Sequence, residues 1–129
     1  GLENADGVVT GLYLKDPKDK RWADDPALKE WSAWMKKYQP NADTGDLFNV
    51  QGYTAAQIMA AVLANCKDDL SRDNIRKQAT SLKRMALPML LPGITAHTEP
   101  DNVTPMRQLQ MARFDGKSWV LFGDILGEQ

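Results

Sequence analysis

The sequence predicts a mixed α/β fold in which a strand, three helices, an irregular apolar segment and a β-hairpin follow one another. Three observations carry this prediction: a β-branched and aromatic run near the amino end, helical spacing of apolar residues between positions 26 and 82, and the turn dipeptide Asp115-Gly116 between two apolar runs. The chain has 129 residues, 43% of them hydrophobic and 26% charged, which is the composition of an ordered domain. Its length indicates one compact unit or a segment of a larger one.

The first two elements have clear local signals. A strand is predicted over residues 7–14, which are rich in β-branched and aromatic side chains. The first helix is predicted to begin at Pro26 with Asp25 as its N-cap and to end at Pro40, because proline suits a first helical turn and breaks a later one. Its broad apolar stripe consists of Ala27, Leu28, Trp31, Trp34, Met35 and Tyr38.

Two further helices follow. One is predicted within residues 48–65, most clearly from Val50 onward, and its many alanines indicate a well-buried helix. The next is predicted to begin after Ser71 as N-cap and to extend as far as Leu82. The apolar face expected to be buried on the longer helix consists of Ala55, Ile58, Met59, Val62 and Leu63.

The carboxy-terminal third changes character. Residues 87–94 are apolar but interrupted by prolines, which predicts an irregular or edge segment rather than a central strand. A two-residue turn at Asp115-Gly116 would form a hairpin with Met111 opposite Val120. The same pairing would place Leu109 opposite Phe122, so that one face of the hairpin is apolar.

Charge and cysteine content exclude several classes of function. Sixteen basic residues face seventeen acidic ones, and a net charge of −1 indicates no affinity for nucleic acid or an anionic membrane. Cys66 is the one cysteine, which excludes an internal disulfide and a cysteine zinc cluster. No stretch approaches the ~20 apolar residues of a membrane span. Residues 1–4 resemble neither a signal peptide nor an initiator sequence, so we expect a processed or excised piece.

The sequence contains no recognisable catalytic motif. His97 lies in a polar loop without a Gly-x-Ser-x-Gly motif elsewhere, so we expect a solvated side chain. Cys66 beside Lys67 is interpreted as a half-buried thiol at a helix end. The aspartates between positions 16 and 25 lack the spacing of a calcium loop. We therefore predict no enzyme activity, no metal and no cofactor; a thiol or metal hydrolase is an alternative that depends on Cys66 and His97 alone.

Four segments carry a pattern that extends over nearly the whole chain. They are Gly7-Val8-Val9 with Lys15-Asp16-Pro17; Phe48-Asn49-Val50-Gln51-Gly52-Tyr53-Thr54-Ala55-Ala56-Gln57; Asp68-Asp69-Leu70-Ser71-Arg72-Asp73-Asn74; and Leu90-Leu91-Pro92-Gly93-Ile94 with Gln108-Leu109-Gln110 and Asp115-Gly116-Lys117-Ser118-Trp119. In this order they resemble the late crossover strand, two helix starts, and the terminal segment and hairpin of the branched-chain amino-acid-binding family, the type I periplasmic binding proteins. Each motif alone has low specificity, and the specificity comes from their shared order.

The resemblance implies a fragment of a two-lobed α/β fold whose lobes close on a small solute by a hinge and deliver it to an ABC importer. Residues 1–85 would be the late part of one lobe, and residues 86–129 a tail and hairpin that return to the other. It also implies a periplasmic location, with a signal peptide upstream. The implied partners are an amino acid or a small aromatic or carboxylate solute, the missing N-terminal part of the same receptor, and a membrane permease.

The resemblance further implies ligand-binding residues. An aromatic ring at the position of Phe48 contacts the solute in amino-acid-binding members, and Phe48 precedes the apolar face of its helix, where its ring could line a cleft wall. The alternative is that the ring fills the core beneath a neighbouring aromatic residue. Tyr13, at the end of the crossover strand, is a second candidate. Asn49 and Gln51 are candidates for polar contacts near a helix N-terminus, which favours anions.

A second function stays open beside solute binding. In the family, the main anchors of the solute lie in stretches that precede this chain, so we expect the chain alone to have an incomplete site. The alternative is a self-associating interaction fragment, a homodimer through exposed lobe faces, without ligand binding. The aromatic stripe of Trp31, Trp34 and Tyr38 suggests this alternative.

Overall fold

The computed structural model describes residues 2–127 of the chain and the side chains of residues 4–127. Residue 1, where the sequence suggests a processed start, and residues 128–129 lie outside the described part. Helices and an antiparallel sheet are both present, which confirms the mixed α/β class. The elements are β1 (Val9–Leu12), α1 (Pro26–Tyr38), α2 (Leu47–Cys66), α3 (Arg72–Ala79), β2 (Gln108–Phe114) and β3 (Trp119–Gly127), with 3₁₀ turns at Leu2–Ala5 and Lys20–Trp22.

Side-chain caps decide where the helices begin. Asp25 accepts a hydrogen bond from the backbone N–H of Leu28 at 3.0 Å, so α1 begins as predicted. Helix α2 begins at Leu47, earlier than the apolar pattern indicates, because the carboxylate of Asp46 accepts the N–H of Phe48 at 2.9 Å. A cap therefore adds a first turn that carries no helical apolar spacing.

Helix α3 ends at Ala79, so the prediction that it continues to Leu82 is wrong. The hydroxyl of Ser81 donates to the carbonyl of Lys77 at 2.6 Å and satisfies a carbonyl at the helix end. Leu82 is buried all the same, and its N–H donates to the Thr98 hydroxyl of the tail at 2.9 Å. Its apolar position in the sequence reflects packing against the tail and not a further helical turn.

The three strands form one antiparallel sheet in the order β1-β2-β3. Met111 lies opposite Phe122, so the predicted hairpin register is wrong by two residues. The carboxylate of Asp115 accepts the N–H groups of Ser118 at 2.7 Å and Lys117 at 2.9 Å, which stabilises a four-residue turn. These backbone hydrogen bonds, that of Ser118 first, hold the pKa of Asp115 below its usual value.

One face of the sheet packs on the core and the other is exposed. Ala112 and Phe114 are buried on the inner face. A bulge at Gly123 and Asp124, between the pairs Gln110–Ile125 and Met111–Phe122, keeps the inner side chains of β3 directed at the core. The opposite face, which we call the outer sheet face, carries five apolar side chains that are between 37% and 50% exposed: Val9, Leu109, Val120, Phe122 and Leu126. The exposed Arg113 lies among them, with its guanidinium 5.7 Å from the ring centre of Phe122.

The segment 87–94 supplies the centre of the core. It is irregular, as predicted, but it lies inside and not at an edge, since Met89 is 0% exposed. An isolated bridge joins Leu90 to Leu14 at the end of the first strand. Residues from both predicted parts, 1–85 and 86–129, thus share one core, and their assignment to two lobes stays a prediction. The core cluster consists of Leu14, Leu28, Trp31, Met35, Val50, Met89, Leu90, Leu91 and Ile94.

A largely buried ion pair joins the end of the first strand to α1. The ammonium of Lys15 lies 2.8 Å from the carboxylate of Asp25, and their side chains are 9% and 20% exposed. The same ammonium lies 5.3 Å from the ring centre of Trp22, within cation–π range. The backbone N–H of Lys15 donates to the carbonyl of Met89 at 2.9 Å. One residue therefore connects the strand, the helix cap and the core segment.

Replacement of Asp25 by alanine should destabilise the fold by about 2–4 kcal/mol, because it removes a helix cap and leaves the buried ammonium of Lys15 unpaired. The exposed pair of Lys29 and Asp24, 2.9 Å apart, is a matched control, and Asp24→Ala should leave the unfolding midpoint unchanged. Urea unfolding followed by tryptophan fluorescence measures both. Equal effects of the two substitutions would contradict the structural role of the buried pair.

The pair should also make stability depend on pH. Burial raises the pKa of Asp25. The hydrogen bonds from Lys15 and from the N–H of Leu28 together lower it by more, so the net pKa lies below the unfolded value of 3.8. The stabilisation is therefore complete above pH 3.8 and is lost as the pH falls through the folded-state pKa. Asp25→Asn keeps a capping side chain. Its free energy of unfolding, measured by urea unfolding at each pH, should be lower than that of the unchanged protein by a constant amount from neutral pH down to that region. Below that region the two free energies should converge. A difference that widens towards acid would argue against this.

Candidate functional site

Phe48 lies in the first turn of α2, where its side chain is 79% exposed. The alternative that this ring fills the core is therefore wrong. Helix α2 turns its buried residues, Val50 and Thr54, to the core side, and Phe48 does not share that side. The ring is available to line the wall of a cleft.

Tyr13 and Gln51 line one cavity of about 150 Å³. Tyr13 leaves β1 beside the core segment, and its carbonyl accepts the N–H of Leu91 at 2.9 Å. Gln51 follows Phe48 by three residues, so the two are neighbours along the helix surface. The structure thus brings a phenol and a carboxamide to one concave wall, with the aromatic ring of Phe48 one turn away. The full lining consists of Tyr13, Leu14, Gln51, Thr54, Ala55, Ile58, Pro105 and Met106.

Asn49 has a structural contact of its own. Its side-chain amide donates to the carbonyl of Asp43 at 2.7 Å, which fixes the loop before α2. The N-terminus of α2 is also occupied by the carboxylate of Asp46. A solute anion at this helix end would meet a like charge, so the preference for anions expected there is offset by the cap.

The cavity includes residues that sequence reasoning missed. Pro105 and Met106 come from the tail, which returns over α2 and the end of β1. Their only signal in the sequence is an apolar pair at the end of a polar loop. Ile58 was expected to be buried, yet it is half-buried and lines the cavity.

The expectation that α2 is well buried is wrong. Met59 is 49% and Leu63 40% exposed, although both belong to the apolar face that the sequence predicts to be buried. The helix is apolar around most of its circumference, and the chain covers only the side of Val50, Thr54 and Val62. An apolar stripe that begins at Phe48 therefore stays open to solvent.

Other reactive groups have structural partners. His97 is only 18% exposed, and its Nε2 lies 3.5 Å from a carboxylate oxygen of Glu99, so the expectation of a solvated histidine is wrong. Cys66 lies at the end of α2 and is only 3% exposed, so the expectation of a half-buried thiol is wrong. The aspartates of residues 16–25 act separately as caps, turn acceptors and ion-pair partners and do not converge on one point.

The described residues contain neither a cluster of metal-binding side chains nor a membrane-spanning helix. Among residues 2–127 there is no group of three or more histidine, cysteine, aspartate or glutamate side chains that could hold a metal ion. Within the same part of the chain, no helix is both long and apolar enough to cross a bilayer. The chain matches no protein-family model, and neither the curated proteins nor the solved structures contain a significant match to it.

Proposed function

We propose that this chain forms part of an extracytoplasmic solute-binding receptor of an ABC importer, of the type I periplasmic binding protein family. The observation that carries the proposal is the cavity shared by Tyr13 and Gln51, two of the residues that the sequence offers as candidates for solute contacts. A concave, mainly apolar wall with a few polar groups is the usual surface of a small-molecule site. The mechanism is hinge closure, in which the solute stabilises the closed state without any covalent step.

The exposure of Phe48 supports the same proposal. Burial of a phenylalanine ring contributes about 25 cal/mol of favourable free energy for each Å² of apolar surface removed from water. A ring that is 79% exposed beside a cavity is therefore suited to be covered by a solute or by an opposing lobe. Its position is fixed by the cap of Asp46, which holds the first turn of α2 in place.

The size of the cavity supports a shared site. Sites for drug-sized ligands measure roughly 300–1,000 Å³, and this cavity measures about 150 Å³. We infer that the N-terminal part of the same receptor supplies the opposite wall and the main solute anchors. The closed receptor would then engage a membrane permease, in the periplasm, after removal of an upstream signal peptide.

The solute class follows from the wall. The apolar side chains of the wall, Met106 among them, favour an aliphatic or aromatic group of the solute. Gln51 and Tyr13 offer it hydrogen bonds. The carboxylate of Asp46 favours the ammonium side of an amino acid near α2 over its carboxylate. An amino acid or a small aromatic carboxylate therefore binds here through its apolar group, with its acid group anchored on the other wall.

A thermal-shift screen of the longest natural form of the protein that contains this chain tests the proposal. At least one leucine-like amino acid, amide or benzoate-like acid should raise the unfolding temperature. Phe48→Ala and Gln51→Ala should reduce that rise, since they remove wall contacts, and should hardly change the unfolding temperature without solute. Leu70→Ala, at a side chain that is 60% exposed away from the cavity, is the matched control. The absence of a shift with every solute would sink the proposal.

The second candidate function is a self-associating interaction fragment. The outer sheet face supports it, since exposed contiguous apolar patches usually mark sites of association. The aromatic stripe of α1 contributes less than expected: Trp31 is 1% exposed, and Trp34 packs on Tyr38 and Tyr53 with ring centres 5.3 and 5.1 Å away. Trp34 and Tyr38 are still 38% and 54% exposed, so the sheet supplies the wider apolar surface for a second copy and α1 a smaller one.

Sedimentation velocity over a concentration series tests self-association. If the outer sheet face mediates it, Phe122→Asn should weaken dimerisation by roughly tenfold or more, because it removes an apolar contact worth about 1.4 kcal/mol or more. Leu70→Asn, at a side chain that is 60% exposed and lies outside the sheet, should leave the dimer unchanged. A strictly monomeric protein at high concentration would exclude this second candidate.

A further inference from the structure

A second cavity lies between the loop after β1 and the turn of the β2–β3 hairpin. It measures about 260 Å³, which is somewhat below the roughly 300–1,000 Å³ of sites for drug-sized ligands. It is distinct from the cavity of Tyr13 and Gln51, neither of which lines it. Its lining combines apolar side chains of the core and the hairpin, such as Phe114 and Trp119, with charged side chains of the loop and the turn, such as Lys18 and Lys117.

The floor of this second cavity is apolar and rigid. Leu14, Leu91 and Phe114 are each at most 8% exposed, so the core holds them in place. The ring of Trp119 lies 5.3 Å from that of Phe114, tilted at 57°. A flat or branched apolar group of a ligand would find a preformed surface there, and little entropy would be lost in ordering it.

The rim carries three basic and two acidic side chains. Arg21 donates to the carbonyl of Trp119 at 2.6 Å and pairs with Asp19 at 3.2 Å, so its guanidinium is already engaged. Lys18 and Lys117, by contrast, form no close ion pair in the described part of the chain, although the charge of Lys117 helps to lower the pKa of the neighbouring Asp115. Two ammonium groups therefore remain at the mouth of an apolar cavity.

The two acidic residues of the rim keep their negative charge, and their oxygens accept hydrogen bonds from the backbone of the loop. The carboxylate of Asp16 accepts the backbone N–H of Lys18 at 2.8 Å, and that of Asp19 accepts the backbone N–H of Arg21 at 2.9 Å. Both carboxylates thus stabilise the loop itself. The arrangement combines an apolar floor, two tryptophans and an excess of cationic donors at the rim.

We propose that this cavity binds a small amphipathic carboxylate, an aromatic or branched aliphatic acid. Its apolar group would rest on Phe114 and Trp119, and its carboxylate would be held at the rim by Lys18 and Lys117. The site belongs to this chain alone, so it does not depend on an opposing lobe. It goes beyond the proposed receptor function, because it would be occupied in addition to the solute cleft.

Tryptophan fluorescence provides the test, since Trp22 and Trp119 both line the cavity. Titration of the chain with phenylacetate or 4-methylpentanoate at low ionic strength should give a saturable change. The matched amides, phenylacetamide and 4-methylpentanamide, should bind at least about tenfold more weakly because they lack the charge. Equal binding of acid and amide, or no saturable change at millimolar acid, would overturn the proposal.

Variants localise the signal. Lys117→Gln should weaken acid binding by about tenfold, whereas Lys36→Gln, in the last turn of α1, should not. Trp119→Phe should remove much of the fluorescence change, and Trp34→Phe, a tryptophan outside this cavity, should preserve it. Because Lys117 is an exposed turn residue, its variant reports on binding even if a tryptophan variant folds poorly.

A final variant separates this site from the receptor cleft. Gln51→Ala should leave the fluorescence titration unchanged, since Gln51 lines only the other cavity. Loss of the signal in Gln51→Ala together with an unchanged affinity in Lys117→Gln would move the binding to the receptor cleft and refute the second site. The result does not depend on whether any solute stabilises the longer receptor.

Discussion

The structure depends on a charge that is almost removed from water, the ammonium group of Lys15. A buried ammonium is tolerated only with a close partner and further hydrogen bonds, and Asp25 supplies the partner while it also caps α1. The backbone of Lys15 is bound at the same time to Met89, at the centre of the core. Strand, helix and core segment can therefore separate only if a charge is left unpaired in an apolar environment. This constraint places the loop of residues 16–22, and with it the mouth of the second cavity.

Elements with local causes could be predicted from the sequence. The starts of α1 and α3 follow from Asp25 and Ser71, because an N-cap acts on backbone groups two or three residues away. The hairpin register could not be predicted, since Asp115-Gly116 suits both a two-residue and a four-residue turn. The side chain of Asp115 favours the longer turn by accepting two backbone hydrogen bonds. A slip of two residues still kept each side chain on its predicted face, because side chains alternate with a period of two.

Burial could not be predicted in the same way. An apolar pattern identifies a face that favours burial, but it does not say whether another part of the chain reaches it. Met59 and Leu63 on α2 and Phe122 on β3 all belong to predicted apolar faces and remain exposed. The candidate cavity depends on the same long-range arrangement: Gln51 could be proposed from its place near a helix N-terminus, whereas Met106 joins it only because the tail returns across α2. Residues that join a cavity only because a distant part of the chain folds back over it have no pattern in the neighbouring sequence that would predict this role.

The two cavities are physically connected through one side chain. Leu14 is 5% exposed and lines both of them, so it forms a common wall. It is held between the backbone contacts of Tyr13 with Leu91 and of Lys15 with Met89, and it forms a bridge with Leu90. A close-packed wall of this kind transmits displacement, because interiors at crystal-like density have little free volume to absorb it. The short segment that leaves β1 therefore joins the ion pair, the core and both cavities, so a displacement at either cavity is passed to the same few residues.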